Sequence, residues 1–332
     1  MTWLRRTKDR LLDGSVFASF DASGFRRHAQ RFAPGDLDVR LDDRVVLITG
    51  GNGGLGMATA RGLGARGATV YLACRNPHKG EAARDRLRTE LDSDRIHCLR
   101  LDVSTRATVD AARSHLPPRV DVLIHNAGIL PAERCLTDDG LESTLATNLV
   151  GPHRLTWHLR NALSASPAPR IILVSSGGMY LQSLRVDQLD NLSGRFDGAT
   201  AYARTKRAQV VLAGLLQTRL GAPAWVGSMH PGWADTGGVQ RQMPRFYRLM
   251  KKRLRTPAEG ADTTVWMAAK EPPPSPPGAF WFDRRAVDPN ALPGTGTDTD
   301  EAERLWSQLC AWADVPTTGW GLAAANRPQV PR

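Results

Sequence analysis

Short apolar runs alternate with longer amphipathic stretches from residue 44 onwards. Six of the runs have the pattern of buried strands: 44–50, 68–74, 96–102, 120–126, 170–176 and 224–230. The stretches between them have helical periodicity, with clear examples at 59–67, 78–91 and 141–163. Continuous apolar strands separated by helices indicate βαβ units and a parallel sheet. The pattern therefore predicts an α/β fold with a doubly wound, parallel Rossmann-type sheet.

The flanks of this region predict a single domain with additions at both ends. A further helix is expected at 257–270 and a last short strand at 278–283. A capped helix is expected at 299–313, because acidic residues lie in its first turn. We therefore divide the chain into an N-terminal extension (1–43), a Rossmann-type domain (44–285) and a C-terminal helix with a frayed tail (286–332).

The first residues contain an amphipathic pattern that leaves two alternatives open. Trp3, Leu4, Leu11 and Leu12 lie at helical spacing among basic residues. Such a segment forms either an interfacial membrane helix or a small helix packed on the domain. No apolar run approaches the ~18 residues of a spanning helix, and the start lacks the apolar core of a secretory signal.

Composition adds little to this picture. The chain has 332 residues and a formal net charge of +11, and arginine supplies most of the excess because only six residues are lysine. No nucleic-acid recognition motif accompanies the charge, so no nucleic-acid partner is expected. Four scattered cysteines, without CxxC spacing, indicate reduced thiols in a cytoplasmic protein, and neither they nor the histidines suggest a metal site.

A glycine-rich turn follows the first predicted strand. The stretch "TGGNGGLG" (49–56) contains Gly51-x-Gly53-x-x-Gly56, and it also contains Thr49-Gly50-x-x-x-Gly54-x-Gly56. Glycines at such a strand–helix junction let the backbone approach a pyrophosphate, which lies at the positive end of the next helix. The strand before it and the helix after it supply the context that the motif requires, so a dinucleotide site is predicted.

The end of the second strand bears on the choice of cofactor. NAD enzymes usually place an acidic side chain there, whereas this chain has Cys74 followed by Arg75, with Lys79 nearby. An arginine can pair with a 2′-phosphate through charge-assisted hydrogen bonds. NADP(H) is therefore the predicted cofactor over NAD(H); the alternative is that Arg75 faces solvent and stacks on the adenine.

Four more motifs follow the later strands in order. They are "LDVS" (101–104), "HNAG" (125–128), "VSSGGM" (174–179) and "YARTK" (202–206), with "TNLVG" (147–151) inside a helix. Strand ends at one edge of a parallel sheet are where such folds bind ligands. Tyr202 and Lys206 are four positions apart and so share one helix face.

These motifs, in this order, resemble the short-chain dehydrogenase/reductase family over residues 44–283. The stretch "ACRN" (73–76) and the 26 positions from Ser176 to Tyr202 resemble its retinol-dehydrogenase-like branch. The resemblance implies an NAD(P)-dependent oxidoreductase with a catalytic tetrad of Asn148, Ser176, Tyr202 and Lys206.

The resemblance implies a role for each member of the tetrad. Tyr202 would exchange a proton with the substrate oxygen, although an unperturbed Tyr has a pKa of about 10 and matches pH 7 poorly. The ammonium of Lys206 would lower that pKa. Ser176 would orient the carbonyl, since strand alternation points Ser175 the other way, and Asn148 would hold a water that relays protons to Lys206. The structural alternatives are a helix cap for Ser176 and a helix-bending residue for Asn148.

The resemblance also implies a set of cofactor-binding residues. Asp102 and Val103 would contact the adenine, and His125 stands where the family commonly has Asn. The complete set is Thr49, Gly50, Asn52, Gly53, Gly54, Leu55, Gly56, Arg75, Asn76, Lys79, Asp102, Val103, Asn126, Ala127, Gly128, Tyr202, Lys206, Pro231, Gly232, Trp233 and Thr236.

Residues 237–255 lie where such folds place a substrate lid. Met243, Phe246, Leu249 and Met250 are spaced for one apolar helix face among basic residues. Three alternatives stay open for this segment: it covers a lipophilic substrate, it rests on an anionic membrane, or it packs as a surface helix. Arg204 and Arg207 are expected on the surface.

The predicted function is hydride transfer between NADP(H) and a lipophilic aldehyde, ketone or alcohol, in a cytoplasmic enzyme with peripheral membrane contact as an option. The alternative is a non-catalytic, cofactor-binding scaffold at a membrane surface. The sequence leaves the substrate and the oligomeric state open.

Overall fold

The computed structural model describes residues 16–322, and its centre is one eight-stranded sheet. The strand order is β3-β2-β1-β4-β5-β6-β7-β8, with parallel pairing up to β7 and an antiparallel β8 at the edge. The strands are β1 (Val45–Thr49), β2 (Thr69–Cys74), β3 (Ile96–Arg100), β4 (Val122–His125), β5 (Arg170–Val174), β6 (Trp225–Met229), β7 (Phe280–Phe282) and β8 (Arg285–Val287). The predicted doubly wound α/β fold is confirmed.

Helices cover both faces of the sheet. They are α1 (Val16–Phe20), α2 (Ala22–Ala29), α3 (Gly54–Gly64), α4 (Pro77–Leu91), α5 (Arg106–Ala112), α6 (Ser143–Leu145), α7 (Gly151–His158), α8 (Arg160–Ser164), α9 (Gly198–Leu220), α10 (Gly237–Gln242), α11 (Pro244–Met250), α12 (Pro257–Ala269) and α13 (Thr299–Ala313). A π-helical turn (Ala146–Val150) joins α6 to α7, and 3-10 turns occupy Arg113–His115, Gly177–Leu181 and Val186–Gln188.

Each central strand supplies side chains to two cores. In β1, Leu47 belongs to the core under α9 and α13, whereas Val46 and Ile48 belong to the core under α3, α4 and α12. Successive side chains of a strand point to opposite faces, so a strand buried on both faces must be apolar throughout. This is why the apolar runs located the first seven strands in the sequence.

The eighth strand was not predicted. Arg285–Val287 pairs antiparallel with β7, and its residues are exposed or only partly buried. A three-residue edge strand of this kind carries no apolar run, so periodicity has nothing to detect.

The described part of the N-terminal extension packs on the domain. Phe20, Ala22 and His28 are buried, and Leu41 joins the core beneath β1 and β2. Residues 3–12, in which the amphipathic helix was predicted, lie outside the described residues.

The C-terminal helix has the predicted bounds, but the first part of the tail differs from the frayed segment that was expected. Trp320 is only 2% exposed and packs against His153, Trp157 and Trp306. Its indole nitrogen donates to the carbonyl of Pro316. Within 16–322, no helix is both long and apolar enough to cross a membrane.

Candidate active site

The glycine-rich turn between β1 and α3 forms a cradle at the carboxyl edge of the sheet. Gly50 and Gly54 adopt φ angles of +66° and +51°, which side chains rarely tolerate. A Cβ at Gly56 would overlap the carbonyl of Gly50, whereas a Cβ at Gly53 would meet nothing within 4 Å. The N-cap residue Gly53 has no side chain, so no cap side chain accepts from the first N–H groups of α3. These features fit a pyrophosphate.

Two side chains form hydrogen bonds with the backbone of the glycine-rich turn. The buried sulfur of Cys74 accepts hydrogen bonds from the backbone of Gly51 and Asn52, and burial raises the pKa of this thiol to about 12. The amide of Asn126 donates to the carbonyls of Thr49 (2.9 Å) and Gly50 (3.2 Å). The side chain of Asn126 therefore shapes the turn, and its predicted contact with the cofactor stays a prediction.

The other predicted cofactor residues surround this cradle. Thr236 caps α10 and lies beside the turn, since a Cβ at Gly54 would be 3.3 Å from its side chain. Asn76 caps α4 by accepting from the N–H of Lys79. Asp102 accepts from Ser104. Leu55 lies in the first turn of α3, and the remaining members lie in the loops that follow strands: Val103, Ala127, Gly128, Pro231, Gly232 and Trp233.

Arg75 is the cation nearest the position of the expected acidic residue. Its side chain is 72% exposed, and its Nε lies 3.7 Å from a carboxylate oxygen of Asp102. A pair this exposed is held weakly. The guanidinium is therefore free to turn towards an anion at the end of β2.

Ser176 and Tyr202 meet at the end of β5. Ser176 begins the turn Gly177–Leu181, and a hydrogen bond from it lowers the pKa of Tyr202, although burial acts more strongly and raises it. Ser176 is also the predicted cap, accepting from the N–H of Gly178 at 3.4 Å. Ser175 points the other way, as strand alternation predicted, and donates to the main chain of Lys206.

Lys206 lies one turn along α9 from Tyr202, with its ammonium buried. The Nζ donates to the carbonyl of Val174 (2.8 Å) and to Oε1 of Gln209 (3.0 Å), and lies 5.4 Å from the centre of the Tyr202 ring. Burial lowers the pKa of Lys206 to about 7. We expected Lys206 to lower the pKa of Tyr202. In the structure burial is the largest cause for both residues, and it raises the pKa of Tyr202 and lowers that of Lys206.

Asn148 lies in the π-helical turn with its side chain fully engaged. Its Oδ1 accepts from the N–H of Ile129 (2.8 Å), and its Nδ2 donates to the carbonyl of Ile129 and to Thr205. π-turns of this kind often occur at functional sites. The main-chain carbonyl of Asn148 accepts a hydrogen bond from Nε2 of Gln209 at 2.5 Å, and the relay water at Asn148 stays a prediction.

Two further expectations from the sequence, those for Arg207 and for the lid, need correction. Arg207 is 1% exposed rather than on the surface, and it donates to the carbonyls of Pro289 and Thr295. His125 is buried, with its Nε2 hydrogen-bonded to Thr156 (2.9 Å) and its pKa lowered to about 3 by burial. The lid is two short helices without one continuous apolar face: Met250 is buried, while Leu249 is 79% exposed.

Sequence reasoning missed Phe20, which brings the N-terminal extension to the site. Its ring packs against Trp233 and His230, and a Cβ on Gly177 would touch it. Its carbonyl accepts from the N–H of Trp233. No motif marks Phe20, because the contact joins residues more than 150 positions apart.

Comparison with known proteins agrees with this geometry. The sequence model of the short chain dehydrogenase family matches residues 44–184. Human dehydrogenase/reductase SDR family member 12 is 39% identical over 294 residues, which cover 86% of this chain and 91% of that protein. The chain belongs to the short-chain dehydrogenase/reductase family. Residues 44–184 contain the glycine-rich turn, Asn148 and Ser176, whereas Tyr202 and Lys206 follow the end of that match.

Two further relatives place the chain within that family. Human retinol dehydrogenase 12 is 32% identical over 281 residues, covering 82% of this chain and 87% of that protein. A crystal structure of an uncharacterized protein from Mycobacterium paratuberculosis superposes with a TM-score of 0.68 at 27% identity, covering 86% of this chain and 98% of that one. The chain is thus an oxidoreductase of the NAD(P)-dependent, retinol-dehydrogenase-like kind.

Proposed function

We propose that this chain is an NADP(H)-preferring carbonyl reductase or alcohol dehydrogenase that acts on a lipophilic aldehyde, ketone or alcohol. The observation that carries the proposal is the hydrogen bond between Ser176 and Tyr202, beside the buried Lys206 and across from the glycine-rich cradle. The proposed cytoplasmic location rests only on the four scattered cysteines, whose spacing indicates reduced thiols.

The side chains divide the work of the reaction. NADPH, when bound, supplies the hydride that reduces the carbonyl carbon. Tyr202 donates its phenolic proton to the carbonyl oxygen and accepts it back in the reverse direction. Ser176 donates a hydrogen bond to the same oxygen and so orients the substrate. The ammonium of Lys206 provides positive charge beneath the phenol as negative charge develops on it.

A lipophilic substrate is supported by the aromatic side chains beside Ser176. The ring centre of Trp233 lies 5.3 Å from that of Phe246 on the lid and 5.9 Å from that of Phe20. Tyr180, on the turn that Ser176 begins, lies 6.3 Å from Phe20. Aromatic walls with few polar groups favour an apolar ligand.

The NADP(H) preference can be tested by binding alone. Arg75→Ala should weaken NADPH binding about tenfold, because charge-assisted hydrogen bonds to the 2′-phosphate are lost. NADH binding should barely change. Fluorescence titration of both cofactors measures the ratio of their dissociation constants.

Arg86→Ala is the matched control, since Arg86 is also exposed but pairs with Glu90 on the outer face of α4. It should leave the ratio as it is. If the ratio of NADPH to NADH dissociation constants is unchanged in Arg75→Ala, Arg75 does not determine the preference for NADPH.

The exposed part of the lid favours peripheral membrane contact as a second property. Leu249, the most exposed large apolar side chain of the described residues, is surrounded on and beside α11 by four cations: Arg245, Arg248, Lys251 and Lys252. A leucine that inserts among cations is typical of binding to anionic lipid surfaces.

Leu249→Asp should reduce co-sedimentation with phosphatidylserine-containing vesicles about tenfold, because burial of one leucine contributes about 1.5 to 3 kcal/mol. Leu136→Asp, at another exposed leucine, is the control. Equal sedimentation of both variants and the parent would count against membrane contact.

A further inference from the structure

Gln209 is a buried polar residue that the tetrad does not include. It follows Lys206 by three positions on α9, and its side chain is completely buried. Its Oε1 accepts from Lys206 Nζ at 3.0 Å, and its Nε2 donates to the main-chain carbonyl of Asn148 at 2.5 Å. One amide thus joins the lysine of the site to the π-helical turn.

The sequence explains why this carbonyl is available. In a regular helix, the carbonyl of Asn148 would accept from the N–H four residues on. That residue is Pro152, which has no N–H to give. The π-helical turn Ala146–Val150 changes the local register as well. A buried carbonyl must find a donor, and Gln209 supplies it.

We propose that Gln209 is a positioning residue that fixes the ammonium of Lys206 against the main chain of Asn148. This inference rests on the proposed function only for its catalytic consequence. A carboxamide orients charge through both of its ends but does not readily pass a proton from one to the other. Gln209 therefore sets the position and the charge of Lys206.

The surroundings of Lys206 leave Gln209 as its side-chain acceptor among the described residues. The groups that face the ammonium are the carbonyl of Val174, the amide of Gln209, the backbone at Gly128 and the ring of Tyr202. Of these only Tyr202 titrates. No carboxylate of residues 16–322 pairs with Lys206, so a change at Gln209 acts on the ammonium directly.

The test is a titration of Lys206 itself. The chain has only six lysines, so side-chain ¹³Cε and ¹⁵Nζ NMR of lysine-labelled protein can follow each one, with Lys206→Met giving the assignment. Gln209→Glu should raise the pKa of Lys206 by about one pH unit or more, because a carboxylate replaces a neutral acceptor. Gln209→Met should lower it, because an acceptor is lost.

Gln217→Met provides the matched control on the same helix. Gln217 also bridges two main-chain groups, accepting from Val226 and donating to Ala224, but it does not contact Lys206. Its loss should reduce stability without moving the Lys206 titration. Gln209→Glu should also shift the pH profile of alcohol oxidation to higher pH, since the new carboxylate opposes the Tyr202 phenolate, whereas Gln217→Met should not.

An identical Lys206 titration in the parent and both Gln209 variants would overturn the proposal. So would an equal shift in Gln217→Met. If Gln209→Met does not fold, Gln209→Glu decides alone, because it keeps the size of the side chain. The NMR titration needs no substrate, so absence of turnover would overturn the proposed function without affecting this test.

Discussion

Replacing Tyr202 by Phe should reduce carbonyl reduction by about 10³-fold, the range of a lost general acid. The change removes one hydroxyl and leaves the ring, so the packing of Tyr202 beside Lys206 is kept. Ser176 then retains its hydroxyl but has no phenol to hold. The measurement is NADPH oxidation with the aldehyde or ketone that a broad screen with both cofactors finds most active.

Two observations separate loss of chemistry from loss of structure. NADPH binding by Tyr202→Phe, measured by fluorescence, should match that of the parent, because the cradle at the glycine-rich turn is untouched. Tyr71→Phe makes the same chemical change on β2, where the ring stacks on His97, and should keep full activity. Parent-like turnover by Tyr202→Phe would remove Tyr202 from the mechanism and with it the proposed function.

A screen without any turnover by the parent would point instead to the non-catalytic scaffold. In that case cofactor binding at the cradle should still be measurable, because Gly53 and the uncapped start of α3 do not depend on the tetrad. Loss of both binding and turnover would contradict the two alternatives together.

The sequence pointed to the proposed catalytic residues because strand ends and glycines leave local signals. The fold follows from buried parallel strands, which are apolar on both faces and so read as runs. Ser176 lies two residues after β5, and Tyr202 lies in the second turn of α9. Their meeting is a consequence of parallel topology, which brings all carboxyl ends to one edge.

The sequence could not show which long polar side chains turn inward. Arg207 and Gln209 are polar residues of the kind expected on the solvent-facing side of α9. Both are buried, and each donates a hydrogen bond to a main-chain carbonyl of another segment. For Gln209 the need for a donor arises from Pro152 in a different helix. Periodicity within one helix does not detect such pairs.

The N-terminal extension shows the same limit over a longer distance. Residues 1–43 were treated as an addition to the domain, but His28 contacts Asp283 across 255 positions of sequence. Arg255 pairs with the same carboxylate and also donates to carbonyls of the extension. A buried ion pair between distant segments has no local signature, although it decides where Phe20 lies.

Arg255→Met should lower the free energy of unfolding by about 3 to 5 kcal/mol, because the buried carboxylate of Asp283 loses its guanidinium partner and keeps the hydrogen bond to His28. Both side chains are almost fully buried, and two hydrogen bonds of 2.6 and 2.9 Å join them. Arg255 also donates to the carbonyls of Ser19 and Phe20, so the extension should loosen over the site. Urea unfolding and hydrogen exchange of residues 18–29 measure the two effects.

The pH dependence of this loss gives a sharper test of its cause. Burial raises the pKa of Asp283, but hydrogen bonds from His28 and Arg255 outweigh burial and hold it below its ordinary value. A carboxyl with a lowered folded pKa stabilises the fold above its unfolded pKa of about 3.9, and this contribution is lost as the pH falls. The difference between parent and Arg255→Met should therefore shrink below about pH 4.

Two variants decide whether the buried charge is the reason. Arg26→Met breaks an exposed ion pair to Glu259 that also joins the extension to the domain, and it should cost no more than about 1 kcal/mol. Adding Asp283→Asn to Arg255→Met should recover part of the lost stability, because the buried carboxylate charge that lost Arg255 is removed. Asn also tolerates the positive φ of +46° at this position. A double variant no more stable than Arg255→Met would mean that Arg255 acts through its hydrogen bonds to the extension alone. The carbonyls of Ser19, Phe20 and Pro231 would then fix the extension to the loop that holds Trp233, without help from Asp283.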